Sequence, residues 1–348
     1  MIQIDGSEGE GGGQVLRTSV ALSALTNKPL RVFNIRAKRP YPGLMPQHLN
    51  AVAAVADLCD AQVKGLSIGA KEIEFIPSDI RSGKISVDVG TAGSATLVLQ
   101  ALMVPAMNAP GDVRIRVRGG TDVRWSPSAD YMRYVTIPVL KKMGYLTEVE
   151  LLERGYYPSG GGRIDIVTHP VKKLESLHLT EPGRLVTVKG VSHAHSDLGK
   201  ALVAERCAKT ARSILYNKLA NTGFTRDIVI KNEYVKTLSY GSGITLYAET
   251  ENTILGADAL GEKGKRAEDV GKEAAEKLVE EITSKAAVDR YMADQLIPYL
   301  AVAGGSVMTG RQPSIHALTN AAIVNRFGYK VDVSGSMINA EKQLLEKR

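Results

Sequence analysis

The chain has 348 residues, 44% of them hydrophobic and 23% charged; that is ordinary globular usage for one large or two ordinary domains, and it excludes a disordered, collagen-like or coiled-coil chain. Lys and Arg number 44 against 37 Asp and Glu, a formal net charge of +7, which suits an anionic partner without identifying one. Aromatics are only 5% and cysteines only two, Cys59 and Cys207, so an aliphatic core is expected, a disulfide framework or Cys-rich zinc module is excluded, and both thiols are expected buried and reduced in a cytoplasmic protein.

The N-terminus, MIQIDGSEGE, has neither the basic start nor the apolar run of a signal peptide. A Gly-rich turn (EGEGGG) then leads into a predicted helix (QVLRTSVALSALT), and an alternating strand is expected over LRVFNIRA. A Pro/Gly turn, a second helix (QHLNAVAAVADLCDA) and two strands near QVKGLSIG and EIEFIP complete the unit. The same order recurs from about residue 85: KISVDV, a Gly turn opening the apolar helix GTAGSATLVLQALMVPAM, the strand DVRIRVRGG, the helix SADYMRYVTIPVLKKMGY, and strands within EVELLERGYYPSGGGRIDIV. Thr96–Met107 is the most apolar stretch, but it is too short to span a bilayer and reads as a buried helix.

The second helices begin near Gln47 and Pro127, a period of about 80 residues. A third copy is displaced by roughly 107 residues: DRYMADQLIPYLAVAGG, SVMTGR, IHALTNAAIVNRFG, YKVDVSG and MINAE. Between lie two predicted strands (RLVTVKGVSHA, RDIVIKNEY) and two amphipathic helices (ALVAERCAKTARSILYNKL, AEDVGKEAAEKLVEEITSKA). The expectation is an α+β protein of three repeated βαβαββ-type units packed with pseudo-three-fold symmetry over residues 1–180 and 287–348. A smaller α/β domain is inserted at 181–286.

Several residues could carry chemistry. Both Gly runs, Glu8–Gln14 and Gly90–Ser94, precede helices, where free N–H groups favour phosphate, yet neither is a Walker loop or a dinucleotide fingerprint. Glu10 within the first run would cap the helix or hold a metal. Arg17, Arg36 and Arg39 could converge on a polyphosphate or an RNA end, or stand as unrelated surface cations. Arg114, Arg116 and Arg118 share one strand face. His193-Ala-His195-Ser-Asp197 is a weak metal pattern that also suits a surface strand end. His316 opens the last helix, where a capping or packing role competes with a catalytic one. Asp294 and Gln295 inside an apolar helix must be paired or functional. No Gly-x-Ser-x-Gly elbow is present.

EGEGGGQVLR, IRAKRPYPGLMPQHL, GTAGSATLVLQ, GGTDVRWSPSADY, GYYPSGGG, YMADQL and IHALTN, in this order and over essentially the whole chain, resemble the RNA 3′-terminal phosphate cyclases. The resemblance implies conversion of an RNA 3′-terminal phosphate to a 2′,3′-cyclic phosphate with ATP and a divalent metal. His316 would be the nucleophile, forming a histidine–AMP intermediate with release of pyrophosphate. Gln100, Pro127 and the run Tyr291, Met292, Ala293, Asp294 and Gln295 would line the ATP site, Tyr291 and Pro127 enclosing the adenine. Arg17, Arg36, Arg39, Gln47 and His48 would bind phosphates of ATP or RNA, and Glu10 the metal. Trp125 would stack on a base or pack at a repeat junction. No membrane partner is expected. Family members can carry Cys where Ile315 stands, a difference the chemistry does not need. The rival readings are a relative that acts in ribosome assembly without the catalytic histidine, an enolpyruvyl transferase, and a zinc hydrolase built on His193 and His195.

Overall fold

The computed structural model describes residues 1–342. Its first unit runs β1 (Ile2–Asp5), α1 (Gly13–Thr26), β2 (Leu30–Phe33), α2 (Pro46–Leu58), β3 (Gln62–Lys64) and β4 (Ile73–Ile76). The sheet order is β1-β2-β4-β3, with β1 and β2 parallel and the other pairs antiparallel. The strand expected over LRVFNIRA ends at Phe33, because Asn34 and Arg36 take left-handed φ values of 52° and 53°, a conformation no strand continues through.

The second unit contains β5 (Gly83–Asp88), α3 (Ala95–Ala106) and β6 (Val113–Gly119). The helix expected next is broken into α4 (Ala129–Tyr131), a π-helical stretch (Met132–Thr136) and α5 (Ile137–Lys142), followed by β7 (Thr147–Glu153) and β8 (Gly162–Thr168). Pro138 explains the π stretch: its ring clashes with the carbonyl one turn back and it donates no N–H. The order β5-β6-β8-β7 repeats the strand arrangement of the first sheet, with β5 and β6 parallel.

β9 (Leu177–Leu179) is followed by β10 (Leu185–His195), α6 (Val203–Leu219), β11 (Ile228–Val235), β12 (Ser242–Thr250), β13 (Ile254–Leu260) and α7 (Ala267–Thr283). These strands form the sheet β11-β10-β12-β13. Two strands more than expected are present; ILGADAL is Gly- and Ala-rich and carries little strand propensity. The chain closes with α8 (Arg290–Ala303), β14 (Gly305–Met308), α9 (Ile315–Arg326), β15 (Val331–Ser334) and β16 (Met337–Ala340). The fourth sheet is β15-β16-β14-β9, and β9 pairs parallel with β14. Its first strand therefore precedes the β10–β13 sheet in the chain, which is why no sequence signal beside α8 announced it. The fold is a mixed α+β one with four four-stranded mixed sheets among the described residues.

The buried apolar side chains form two clusters. One draws on the helices and strands around the first, second and fourth sheets, from Ile4 to Ile338. The other runs from Val188 to Ala286 and is built from β10–β13, α6 and α7. Both cores are mainly aliphatic, as composition demands, although Phe75, Tyr131 and Tyr145 are among the largest fully buried side chains. Cys59 and Cys207 are buried, and burial pushes both thiols up to about 11.

Candidate active site

The Gly run before α1 is a close-packing device. The helix begins after Gly12, which has extended backbone and no side chain to cap the first N–H groups, and no acidic residue occupies the first turn. Free N–H groups at a helix start favour an anion. A Cβ on Gly13 would lie 2.1 Å from His48 Nε2 and 2.8 Å from Arg17 Nη1, and one on Gly12 would lie 2.8 Å from Arg39 Nη2. Missing side chains thus let Arg17, Arg39 and His48 gather at the start of α1. Glu10 does not cap the helix; its carboxylate pairs with Arg39 and lies 2.9 Å from His316 Nδ1.

His316 is the second residue of α9 and does not cap it, because the Ser314 hydroxyl accepts from the Ala317 N–H at 3.1 Å. Gln14 presents its side-chain oxygen to His316 Nδ1 and donates from Nε2 to the His316 carbonyl at 3.3 Å. Both groups at Nδ1, Gln14 Oε1 and Glu10 Oε2, are acceptors, which assigns the ring proton to Nδ1 and leaves Nε2 with its lone pair. One turn on, Thr18 Oγ1 donates to Asn320 Oδ1 at 2.8 Å, and Asn320 Nδ2 donates to the Asp294 carbonyl at 2.9 Å. Helices α1, α8 and α9 are tied together beside His316.

Burial and mutual charge divide the ionisable groups. Burial lowers the Arg17 guanidinium to about 10 against the opposing pull of Asp294 and Glu10. Burial, with the Asp289 charge, raises the Asp294 carboxyl to about 8. His48 is held down to about 3 by burial and by Arg17 and Arg36, so at neutral pH it is uncharged. Its Nδ1 accepts from the Met45 N–H at 3.3 Å, leaving Nε2–H as a donor beside α1. Arg36 is committed elsewhere: Nη1 donates to the carbonyls of Tyr41 and Gly43 at 2.6 and 3.0 Å, so this guanidinium braces its own loop.

A second group lies around the start of α8. Tyr291 is part-exposed and meets the buried Tyr131 ring edge-on, with centroids 6.2 Å apart. Gln295 donates to the Tyr291 carbonyl and accepts from Thr136 Oγ1, both at 3.0 Å. The Pro127 carbonyl accepts from Thr96 Oγ1 at 2.7 Å, and one turn further along α3 Gln100 carries a buried Nε2 with no hydrogen-bond partner. Met292 and Ala293, in the same run, are fully buried and occupy the core face of α8. Gln47 reaches the other Gly turn, accepting from the Ser94 N–H at 2.9 Å.

Three further expectations change. His193 and His195 are buried rather than at a surface strand end. His193 Nδ1 bonds Tyr156 Oη at 2.8 Å and its Nε2 is 3.3 Å from Asp122, while the His195 ring accepts from the Asp197 N–H. No group of three His, Cys, Asp or Glu residues able to hold a metal is found among the described residues. Trp125 is 92% exposed, with φ at 62°, and so does not pack at a junction. Sequence reasoning missed Gln14, Asn320 and Asp289. Gln14, Arg17 and Thr18 fall at helical spacing on one face of α1, a polar stripe on an otherwise apolar helix, and that signal was available.

The family model for RNA 3′-terminal phosphate cyclase matches residues 8–333. Full-length similarity extends to proteins named RNA 3′-terminal phosphate cyclase in Ignicoccus hospitalis (48% identity over 344 residues, 97% of this chain and 96% of that protein). The Pyrococcus furiosus protein of that name is 47% identical over 338 residues, 97% and 96% of the two chains, and the Methanopyrus kandleri protein 48% over 340 residues, 94% and 93%.

Proposed function

The chain belongs to the RNA 3′-terminal phosphate cyclase family, and we propose that it makes the cyclic RNA end through an AMP group carried on His316. The observation that carries this reading is the occupation of His316 Nδ1 by Gln14 and Glu10, which leaves Nε2 free to attack. His316 Nε2 bonds to the α-phosphorus of ATP and pyrophosphate leaves. An oxygen of the RNA 3′-phosphate then displaces the imidazole and takes the AMP. The adjacent 2′-hydroxyl attacks the activated phosphorus, loses its proton, and AMP departs as the cyclic phosphate closes. Passing the nucleotide through a covalent histidine divides one difficult displacement into easier ones.

The remaining residues supply position and charge. The uncapped start of α1, Arg17, Arg39 and the neutral His48 donor would hold phosphoryl oxygens. Gln47 would serve the same anions, and Arg36 would act through the shape of its loop. Tyr291, Pro127, Gln100 and Gln295 form the adenine side, where the unpartnered Gln100 Nε2 suits a base acceptor. Glu10 is one carboxylate already paired with Arg39; this donor set fits a divalent cation that takes most of its shell from phosphates and water, rather than a caged metal. Held by Glu10, such a cation would add positive charge beside the transferring phosphoryl group.

The body is assigned to residues 1–180 and 287–348 as three repeated units with pseudo-three-fold symmetry, and 181–286 to an inserted domain. Residues 343–348 lie outside the described part. The support is the strand order shared by three sheets and the separate apolar cluster of Val188–Ala286. No helix among the described residues is long and apolar enough to cross a membrane.

The test is incubation with ATP labelled at the α-phosphate and magnesium or manganese. An acid-labile protein–AMP adduct is expected, discharged by RNA ending in a 3′-phosphate and absent in His316→Ala. An adduct that persists in His316→Ala refutes the assignment.

A further inference from the structure

Resting on that reading, we propose that the single-stranded RNA leading to the reacting end lies across three touching loops, residues 90–94, 156–162 and 237–241, with Tyr157 and Tyr240 as platforms for its bases. These loops meet at backbone distance. The Ser159 N–H donates to Ser239 Oγ at 3.0 Å. A Cβ on Gly160 would lie 2.6 Å from the Thr91 carbonyl, one on Gly161 2.4 Å from Leu238 Cδ1, and one on Gly241 2.2 Å from Tyr156 Cγ. The contact surface therefore joins the β7–β8 connection to the β11–β12 connection.

Large apolar groups remain uncovered on this seam. Tyr157 is 77% exposed, Leu238 68% and Tyr240 64%. Tyr240 is nonetheless fixed: its hydroxyl donates to Asp197 Oδ2 at 2.7 Å and its ring lies 4.4 Å from that of His195. A ring that is both exposed and held in place loses little freedom when a planar group stacks on it. Lys236, in the same β11–β12 connection, is exposed, and the chain carries a net charge of +7.

Continuity selects the occupant. Buried Gly160 packs on the exposed Thr91 and part-exposed Ala92; the same turn ends at Ser94, whose N–H donates to Gln47, the neighbour of His48 at the start of α2. A strand whose terminal phosphate sits among Arg17, Arg39 and His48 would meet these tyrosines with its preceding nucleotides. Stacking on aromatic rings beside a cation is how unpaired RNA is gripped without base preference. On this account the loop at 237–241 gives the second apolar unit a part in substrate binding.

The experiment compares two uridylate RNAs ending in a 3′-phosphate, an octamer and a dinucleotide. Binding and cyclisation KM are measured for the parent protein and for Tyr157→Ala, Tyr240→Ala, Tyr157→Phe and Tyr240→Phe. Each Ala variant should weaken the octamer by about five- to a hundredfold, spare the dinucleotide, and leave adduct formation from ATP unchanged; Tyr157→Phe should bind the octamer as the parent does, and Tyr240→Phe, which keeps the ring but loses the Asp197 bond, should fall between the parent and Tyr240→Ala. Unchanged octamer binding in both Ala variants, or equal losses on both RNAs, would overturn the proposal and point to a protein partner for this face. Absence of adduct in the parent protein would instead defeat the cyclase mechanism on which the proposal stands. Both tyrosines are exposed, and matched melting temperatures would separate a binding loss from a folding one.

Discussion

Gln14 and His316, 302 residues apart in sequence, hold each other by two contacts: the Gln14 side-chain oxygen faces Nδ1, and its amide donates to the His316 carbonyl. The pair fixes both the tautomer and the rotation of the ring. Gln14→Leu keeps the volume and removes both contacts, leaving Glu10 alone at Nδ1. One orienting hydrogen bond of roughly 1.5–3 kcal/mol corresponds to about a ten- to hundredfold slower single-turnover adduct formation. Gln14→Glu, which keeps an acceptor, should recover part of that rate. An unchanged rate in Gln14→Leu would show that Glu10 suffices.

Gly13 stands where a Cβ would lie 2.1 Å from His48 Nε2 and 2.8 Å from Arg17 Nη1. Both are the far ends of side chains, so Gly13→Ala can be accommodated, but only by displacing two groups assigned to phosphate binding. Stability should fall by about 1–3 kcal/mol, the usual cost of overpacking. The larger effect should be on KM for ATP or RNA, read by steady-state kinetics. A variant that loses stability but keeps both KM values would mean that these side chains do not touch phosphate.

The α+β class and most helices and strands were legible in the sequence because their signals are local: a Gly turn, an apolar helix, an alternating strand. The strand Leu177–Leu179 was invisible because it is three residues long and joins the sheet of β14, more than 120 residues later. His316 was legible only through a long motif, since a histidine one residue into a helix is otherwise unremarked. What no motif contained was the protonation pattern. The neutral state of His48 arises from burial against Arg17 and Arg36, and the raised carboxyl of Asp294 from burial beside Asp289, both products of tertiary packing. A cation in a basic run reads as a phosphate ligand; no motif contained the hydrogen bonds by which Arg36 also holds its own loop, at the carbonyls of Tyr41 and Gly43.

Asp294 gives a pH signature. Its carboxyl rises from the ordinary 3.8 to about 8, mainly through burial, so the folded protein retains a proton that the unfolded chain releases between those values. Stability from this group is fully present in acid below pH 3.8 and is lost as pH rises through about 8. Asp294→Asn cannot ionise and should show a flatter profile. Relative to the parent, its melting temperature should therefore increase from pH 5 to about pH 8 and level off above it. Parallel profiles over that range would mean that Asp294 is ionised throughout, paired to Arg17.

Asp289 is fully buried and gathers four donors at the first turn of α8. Oδ1 accepts from the Tyr131 hydroxyl at 2.6 Å and from the N–H groups of Tyr291 and Met292 at 3.0 Å, and Oδ2 accepts from the Gly256 N–H at 2.9 Å. One carboxylate thus caps α8, fixes the ring against which Tyr291 rests, and ties both to β13. Removing it in Asp289→Ala leaves buried donors unmatched and should cost about 3 kcal/mol or more. Asp289→Asn is the more informative change. It keeps the shape, but its NH2 must face either the Gly256 N–H or the cluster at Oδ1, and a donor opposite a donor forces one contact apart. The lost stability should be about 1–2 kcal/mol. Because the disturbed contact sits under Tyr291, KM for ATP should rise more than kcat falls, and less so for the RNA than for the nucleotide. If KM for ATP stays at the parent value while the melting temperature drops, Asp289 is a helix cap alone, and Tyr291 does not need the Tyr131 ring to receive its ligand.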